Sequence, residues 1–386
     1  MTNDIKHWSE YKYSENMLQD ALIKHVMDLM PYRMSDEGEV LEVTMNLIKN
    51  DENSWINNWS LMADKLQKRA ENFEYHNKLV SAASSYLRAS TYWRVSLMYF
   101  KDTKDARMKK FSRNSQACFD KSLQLGAYPG KSIQIPYENT TLPGHFYRST
   151  TATKKAPLLI VVPGRDTWAD DTMWVIDGTL KRGINALTFD GPGQGMALRL
   201  QDLKFRPDFE NVMTPVIDFA EKIAGVDSNR IGAMGMSFGG FLVPRAAAFD
   251  NRLKVIISDP GNMNWGNMIA QRLEIALKMT EQMRPDMIDF TLKDYEWKHN
   301  ATDSTIIDEL KKYDNTSIVP KIKSKTLVLD GAAEVTHGAA QKFYDTLQCK
   351  KDYLLFDDES TAQQHTQMGG YLTGTEYIMN WLEDNL

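Results

Sequence analysis

The chain of 386 residues carries 42% hydrophobic and 25% charged side chains, the balance of an ordinary folded protein built as two units or one large unit with insertions. A formal net charge of -5 offers no basic face for a polyanion, which argues against nucleic acid as a partner. Its two cysteines, Cys118 and Cys349, lie far apart outside any C-x-x-C spacing; they read as buried, inert thiols rather than a disulfide framework or a metal site, and nothing in the sequence calls for a cofactor.

At the N-terminus, Met1-Thr2-Asn3-Asp4 lacks the basic and apolar regions of a leader, and no stretch approaches the roughly 18 apolar residues that span a bilayer. A cytoplasmic protein without a membrane partner is expected. Residues 1–125 contain one proline, Pro31, and apolar residues three or four apart, which predicts consecutive amphipathic helices. One stripe runs through Trp55, Trp59, Met62 and Leu66, and another from Leu79 through Ala83, Tyr86, Leu87, Tyr92, Trp93 and Leu97 to Phe100. The Trp and Tyr of this region look exposed, so these helices are expected to form a cap and the interface of a homodimer.

Near residue 126 the texture changes. Gly126, Pro129 and Gly130 break the helices, and a period-2 pattern begins at Ser132–Pro136, so a second domain of residues 126–386 would start here. A second short strand is expected near His145–Arg148, followed by apolar runs at Pro157–Val162, Ile184–Phe189, Ile231–Met236, Leu253–Ser258, Thr326–Leu329 and Tyr353–Phe356. Runs of this kind suit strands buried on both faces. Helical segments such as Val212–Ala224 and Ala339–Leu347 alternate with them, which predicts an α/β fold with a doubly wound, mostly parallel sheet. The Met-rich stretch of about residues 263–317 reads as a helical insertion capping the crevice at the sheet's carboxyl edge.

Within that pattern, Gly235-Met236-Ser237-Phe238-Gly239 joins a buried strand to a helix start. This is the form of a nucleophile elbow, where glycine on both sides leaves room for a strained turn that lifts the serine hydroxyl above the sheet edge. The Phe238 N–H, at the helix N-terminus, is then placed to stabilise an oxyanion. A serine hydroxyl needs a base. Of seven histidines, His7, His25 and His76 fall in the helical region, His145 precedes the nucleophile strand, His299 lies in the insertion and His337 just after a strand. His365, in the loop after the last strand, is the expected base. The acid belongs in Leu329-Asp330-Gly331-Ala332-Ala333-Glu334, where Glu334 is favoured and Asp330, at the strand end, is the alternative or else a turn-forming residue. The second oxyanion donor is expected to be the N–H of Arg165, in Pro163-Gly164-Arg165-Asp166-Thr167-Trp168. Asp166 would face the same crevice and hold a polar substrate group, or act as a helix N-cap.

Taken with Phe189-Asp190-Gly191-Pro192-Gly193-Gln194-Gly195 and Gln364-His365-Thr366-Gln367-Met368-Gly369, these residues resemble one branch of the α/β-hydrolases. The branch holds the fermentation/respiration-switch-like esterases, the 2,6-dihydroxypseudooxynicotine C–C hydrolases and the yellowish-green-type polyketide-shortening hydrolases, and the likeness spans nearly the whole chain. The resemblance implies Ser237 as nucleophile, His365 as base, Glu334 as acid and Asp166 at a substrate-contacting position. Relatives commonly have Asp in place of Glu334, and a glycine-rich run before the histidine with Cys after it, where this chain has Thr361-Ala362-Gln363-Gln364 and Thr366. It further implies cleavage of a C–C bond beside a ketone, retro-Claisen fashion, in a polyketide or aromatic-ketone substrate, free or carrier-bound, with a pigment or anthraquinone precursor as the leading expectation. A carboxylesterase or a peptidase would use the same residues, and a hydrolase fold kept as a non-catalytic binding module is the rival from another class. The Phe189–Gly195 segment lacks the Lys-Ser/Thr of a P-loop and the G-x-G-x-x-G of a dinucleotide fold, so it reads as a structural turn.

Overall fold

A computed structural model describes residues 7–152, 155–280 and 283–386; Met1–Asp4, read above for a leader, lies outside them. Five helices come first: α1 (Met17–Asp28), α2 (Glu37–Thr44), α3 (Glu52–Tyr75), α4 (Leu79–Val95) and α5 (Ala106–Gln124). Side-chain caps fix several starts. Asn16 accepts from the N–H groups of Leu18 and Gln19, Asp51 from that of Ser54 at 3.0 Å, and Asp105 from that of Arg107 at 2.7 Å.

The sheet then begins with β1 (Gly130–Tyr137) and β2 (Thr140–Tyr147), an antiparallel hairpin longer than the short strand expected near His145. It continues with β3 (Ala156–Val162), α6 (Met173–Lys181), β4 (Asn185–Phe189), α7 (Gly195–Gln201), α8 (Glu210–Ala220), β5 (Val226–Met236), α9 (Gly239–Phe249) and β6 (Leu253–Asp259). Next stand three helices, α10 (Trp265–Leu277), α11 (Asp286–His299) and α12 (Ile306–Lys311), which are the insertion. The chain closes with β7 (Lys325–Gly331), α13 (Ala339–Thr346), β8 (Lys351–Phe356) and α14 (Tyr371–Asn385). The eight strands are ordered β1-β2-β4-β3-β5-β6-β7-β8, antiparallel as far as β2–β4 and parallel from β4 through β8. Every residue of β3 and β4 is buried, as their unbroken apolar runs require.

Helices and sheet share apolar contacts. Trp55, Trp59, Tyr92 and Trp93 pack in one cluster with Trp168, from the loop after β3, and with Met196 of α7. Of the aromatics that suggested an interface, Trp55, Trp59 and Tyr92 are completely buried inside the chain, whereas Tyr11 and Tyr75 are exposed. The expectation of two buried thiols holds for Cys118, whereas Cys349 is only partly buried. Among the described residues no helix is long and apolar enough to cross a membrane.

A buried ion cluster ties the layers together. Arg94 of α4 pairs with Asp171, His25 of α1 reaches the same carboxylate at 3.2 Å, and the Trp168 N–H donates to it at 2.8 Å. His25 also bonds the Tyr371 hydroxyl of α14 at 2.7 Å. Burial acts to raise the Asp171 pKa, but Arg94 and His25 outweigh it and hold the carboxyl below its ordinary range. Asp171→Ala would strand Arg94 as an uncompensated buried charge, so denaturant unfolding at pH 7 should show a loss of about 3–5 kcal/mol. Because the folded pKa is depressed, the carboxylate's stabilisation is present at neutral pH and is lost as pH falls through that value, and the gap between parent and variant should shrink in acid.

Candidate active site

Ser237 sits at the turn between β5 and α9 with φ 55°, in the left-handed region that a non-glycine residue rarely occupies. Close approach explains the flanking glycines. A Cβ on Gly235 would lie 1.9 Å from the Gly239 carbonyl oxygen, and one on Gly239 would lie 2.4 Å from that of Val162. The Ser237 N–H donates to the Asp259 carbonyl at the end of β6 at 2.5 Å, which pins the turn to the neighbouring strand.

His365 comes from the loop between β8 and α14 and stands with Nε2 2.8 Å from Ser237 Oγ and Nδ1 2.5 Å from Glu334 Oε2. An ionised carboxylate only accepts, so Nδ1 carries the proton and Nε2 faces the serine hydroxyl as acceptor. Burial works against the imidazolium, but the Glu334 hydrogen bond and charge, with Asp259 and Asp166 adding to them, raise the His365 pKa above its ordinary value. The same interaction, helped by the Thr336 N–H, lowers the Glu334 pKa against a burial effect that acts to raise it. Of the two candidate carboxylates, only Glu334 meets the histidine. Asp330 is occupied elsewhere, by the Tyr353 hydroxyl at 2.9 Å, its neighbouring Gly331 N–H at 2.9 Å and His337 Nδ1 at 3.0 Å.

The N-terminal segment and α1 hold the histidine loop. Asp28 accepts from the N–H groups of Gly369 at 2.7 Å and Tyr371 at 3.2 Å, and Gln363 bonds His7 at 2.7 Å. A Cβ on Gly369 would collide with the Trp8 ring at 1.9 Å, so this glycine lets the N-terminal segment lie against the loop.

Over the serine lies the loop after β3. A Cβ on Gly164 would come within 2.7 Å of Ser237 Cβ, so loop and serine are in direct contact. The amides of Phe238 and Arg165, the two expected oxyanion donors, have no acceptor among the described residues. The Phe189–Gly195 turn buttresses this loop: the Gln194 side-chain amide donates to the Pro163 carbonyl at 2.5 Å and to that of Gly164 at 3.1 Å. Asp190 fixes the turn by accepting from Ala169 and Met196 N–H groups, both at 2.8 Å. Its role is structural, as its glycine spacing suggests.

The insertion reaches down onto the same loop. Arg165 pairs with Asp294 of α11 at 2.5 Å and lies 3.8 Å above the Tyr295 ring, while Lys298 bonds Asp166 at 2.6 Å and Asp294 at 3.1 Å. Asp166 is half-exposed and is not an N-cap; the short 3-10 helix that follows (Ala169–Thr172) is capped at Trp168. Asp294 and Lys298 are neighbours of this loop that sequence reading missed, since an acidic and a basic residue four apart on a helix ordinarily read as a solvated pair. Among the described residues no group of three or more His, Cys, Asp or Glu is arranged to hold a metal ion.

Comparison with known proteins now places the chain: residues 34–337 match the FrsA-like esterase family, and the chain belongs to that family. Its fold is that of the α/β-hydrolases. It is 31% identical over 267 residues to the α/β hydrolase xenA of Xenoacremonium sinensis, covering 66% of this chain and 62% of the relative. It is also 33% identical to the 20-hydroxy-prefusarin hydrolase FUS2 of Gibberella moniliformis, over 64% and 61% of the two chains. These matches take in about three fifths of each relative's length. Among solved structures, a 2,6-dihydroxy-pseudo-oxynicotine hydrolase superposes with TM-score 0.77 at 17% identity, covering 94% of this chain and 95% of that one.

The raised His365 pKa carries a prediction for any Ser237-dependent turnover. The imidazole must be neutral to accept a proton, so kcat/KM should fall as pH drops through a value above the ordinary 6.5 or so of histidine. Glu334→Gln removes the charge that raises it. The acid limb should then move to lower pH while the plateau drops by about 10²-fold or more, as a pH profile would show.

Proposed function

We propose that the protein is a serine hydrolase in which Ser237 is the nucleophile, His365 the general base, Glu334 the orienting acid, and the Phe238 and Arg165 amides the oxyanion hole. The observation that carries this reading is the unbroken relay from Glu334 through His365 to the hydroxyl of a serine in left-handed geometry.

The substrate we propose is a polyketide-type or aromatic ketone, cut at a C–C bond beside its carbonyl, as in the trimming of a pigment precursor. Ser237 Oγ adds to the ketone carbon while His365 Nε2 takes its proton, and the oxyanion meets the two amides. Collapse breaks the C–C bond and expels an enolate, which the imidazolium protonates. Water, deprotonated by His365, then releases the carboxylate from the serine. Support comes from the relatives' names, which include a hydrolase of 20-hydroxy-prefusarin, and from the structural likeness to a hydrolase of 2,6-dihydroxy-pseudo-oxynicotine. Asp166 is half-exposed and close enough to His365 to influence it, which suits a contact to a polar substrate group.

An ordinary carboxylesterase is the second reading, favoured by the description of the family as esterases. The same relay would serve it with an alkoxide as leaving group.

Incubation with benzoylacetone and, separately, p-nitrophenyl butyrate tests both readings. The proposal expects carboxylate and ketone fragments from the diketone, with Ser237→Ala lowering turnover by about 10⁴-fold or more. Ester cleavage alone would favour the esterase, and activity on neither probe, or activity untouched by Ser237→Ala, would remove the catalytic reading.

A further inference from the structure

Asp259, the last residue of β6, serves the site twice. Its main-chain carbonyl accepts the Ser237 N–H at 2.5 Å, and its side-chain Oδ1 accepts from Gln367 Nε2 at 3.0 Å. Gln367 closes the short turn His365–Gln367, where Thr366 and Gln367 both hold left-handed backbone, with φ 52° and 58°. Two such non-glycine residues in succession persist only where their surroundings hold them. The Gln367 carbonyl takes the Gly370 N–H at 2.9 Å, and a Cβ on Gly374 would lie 2.9 Å from Gln367 Cβ, so α14 presses on the residue as well. One residue of β6 thus joins the serine turn to the histidine loop.

The second oxygen of each side chain shows the state of that link. Asp259 and Gln367 are each 1% exposed, and neither Asp259 Oδ2 nor Gln367 Oε1 meets a donor in the protein. Buried acceptors left without a donor are destabilising. An ionised carboxylate cannot supply the missing bond because it only accepts, whereas a protonated carboxyl carries an O–H that can. A carboxyl and a carboxamide already joined by one bond have matching planar shapes for a second, so one proton on Asp259 Oδ2 serves both orphan oxygens.

The surroundings favour that proton. Burial, with Glu334 and Asp330 pushing the same way, outweighs Gln367 and His365 and brings the Asp259 carboxyl up to about 7. Tyr371 of α14 also faces it and stays a neutral phenol, its pKa raised by its own burial. When His365 is neutral, as a base must be, none of these groups carries a positive charge.

We infer that Asp259 is a positioning residue for the hydrolytic reaction, a neutral carboxylic acid paired with the Gln367 carboxamide through two hydrogen bonds, and that this pair holds His365 in register with Ser237. The inference rests on the serine hydrolase reading of the preceding section. Loss of the proton replaces the second bond by repulsion between two oxygens and loosens the histidine loop. A misplacement of about 1 Å at a reacting group can lower a rate by ~10²-fold.

The test compares the pH profiles of kcat on p-nitrophenyl butyrate for the parent, Asp259→Asn and Gln367→Leu. Asparagine offers Gln367 the same two bonds at every pH, its Nδ2 donating to Oε1 and its Oδ1 accepting from Nε2. The parent should lose kcat as pH rises above neutrality, with KM little changed. Asp259→Asn should keep most of the neutral-pH kcat and lose the alkaline decline, while Gln367→Leu should cut kcat by roughly tenfold or more. A parent kcat that stays level into alkaline solution, the same decline in Asp259→Asn, or a parental kcat in Gln367→Leu would overturn the inference. Should Gln367→Leu fail to fold, the other two profiles decide it. Carbon-13 NMR of protein labelled at the aspartate carboxyls, with the Asp259 signal assigned by its absence from Asp259→Asn, reads the pair without turnover. A carboxyl that titrates near neutrality supports it and one ionised throughout refutes it, even if the parent cleaves no ester and the hydrolase reading fails.

Discussion

The left-handed backbone at Ser237 is the constraint on which the rest of the molecule turns. A non-glycine residue holds that conformation only where its surroundings over-determine it. Here Gly235 and Gly239 approach so closely that no side chain fits, the Asp259 carbonyl takes the serine N–H, and Gly164 presses on the serine from above. The cost of the turn is met by the buried strands on either side, and the return is a hydroxyl held at the sheet edge within 2.8 Å of an imidazole.

Around that point the chain recruits every layer. The N-terminal helices might have been a separate unit, yet α1 supplies Asp28 to the histidine loop and His25 to the Asp171 cluster, while the insertion supplies Asp294 and Lys298 to the loop over the serine. Charge on the insertion therefore meets charge on the loop after β3 directly.

Much of this was legible in the sequence because it depends on short-range rules. Eight apolar or alternating segments became eight strands, and the elbow, the Glu334 loop and the His365 loop fell after β5, β7 and β8, at the carboxyl edge where a parallel sheet gathers its loops. Asp330, at the end of β7, and Glu334, in the loop that follows, stand four residues apart, and sequence spacing favoured the latter; only side-chain direction shows that Asp330 turns to Tyr353 and His337 instead. What spacing could not reveal are contacts between distant segments. Trp55 and Trp59 looked exposed because the rings that meet them, Tyr99 and Tyr92, and the cluster they share with Trp168 belong to other segments of the chain. The burial of His299 was not legible either, because the five rings that enclose it come from four other segments and its own helix.

The central claim is that one serine is activated by one histidine. Treating the protein with a fluorophosphonate, digesting it and mapping the adduct by mass spectrometry tests that claim most directly. The account predicts a single stoichiometric modification on Ser237 that His365→Ala suppresses. Absence of labelling in the parent, labelling of a different residue, or full labelling without the imidazole would contradict it.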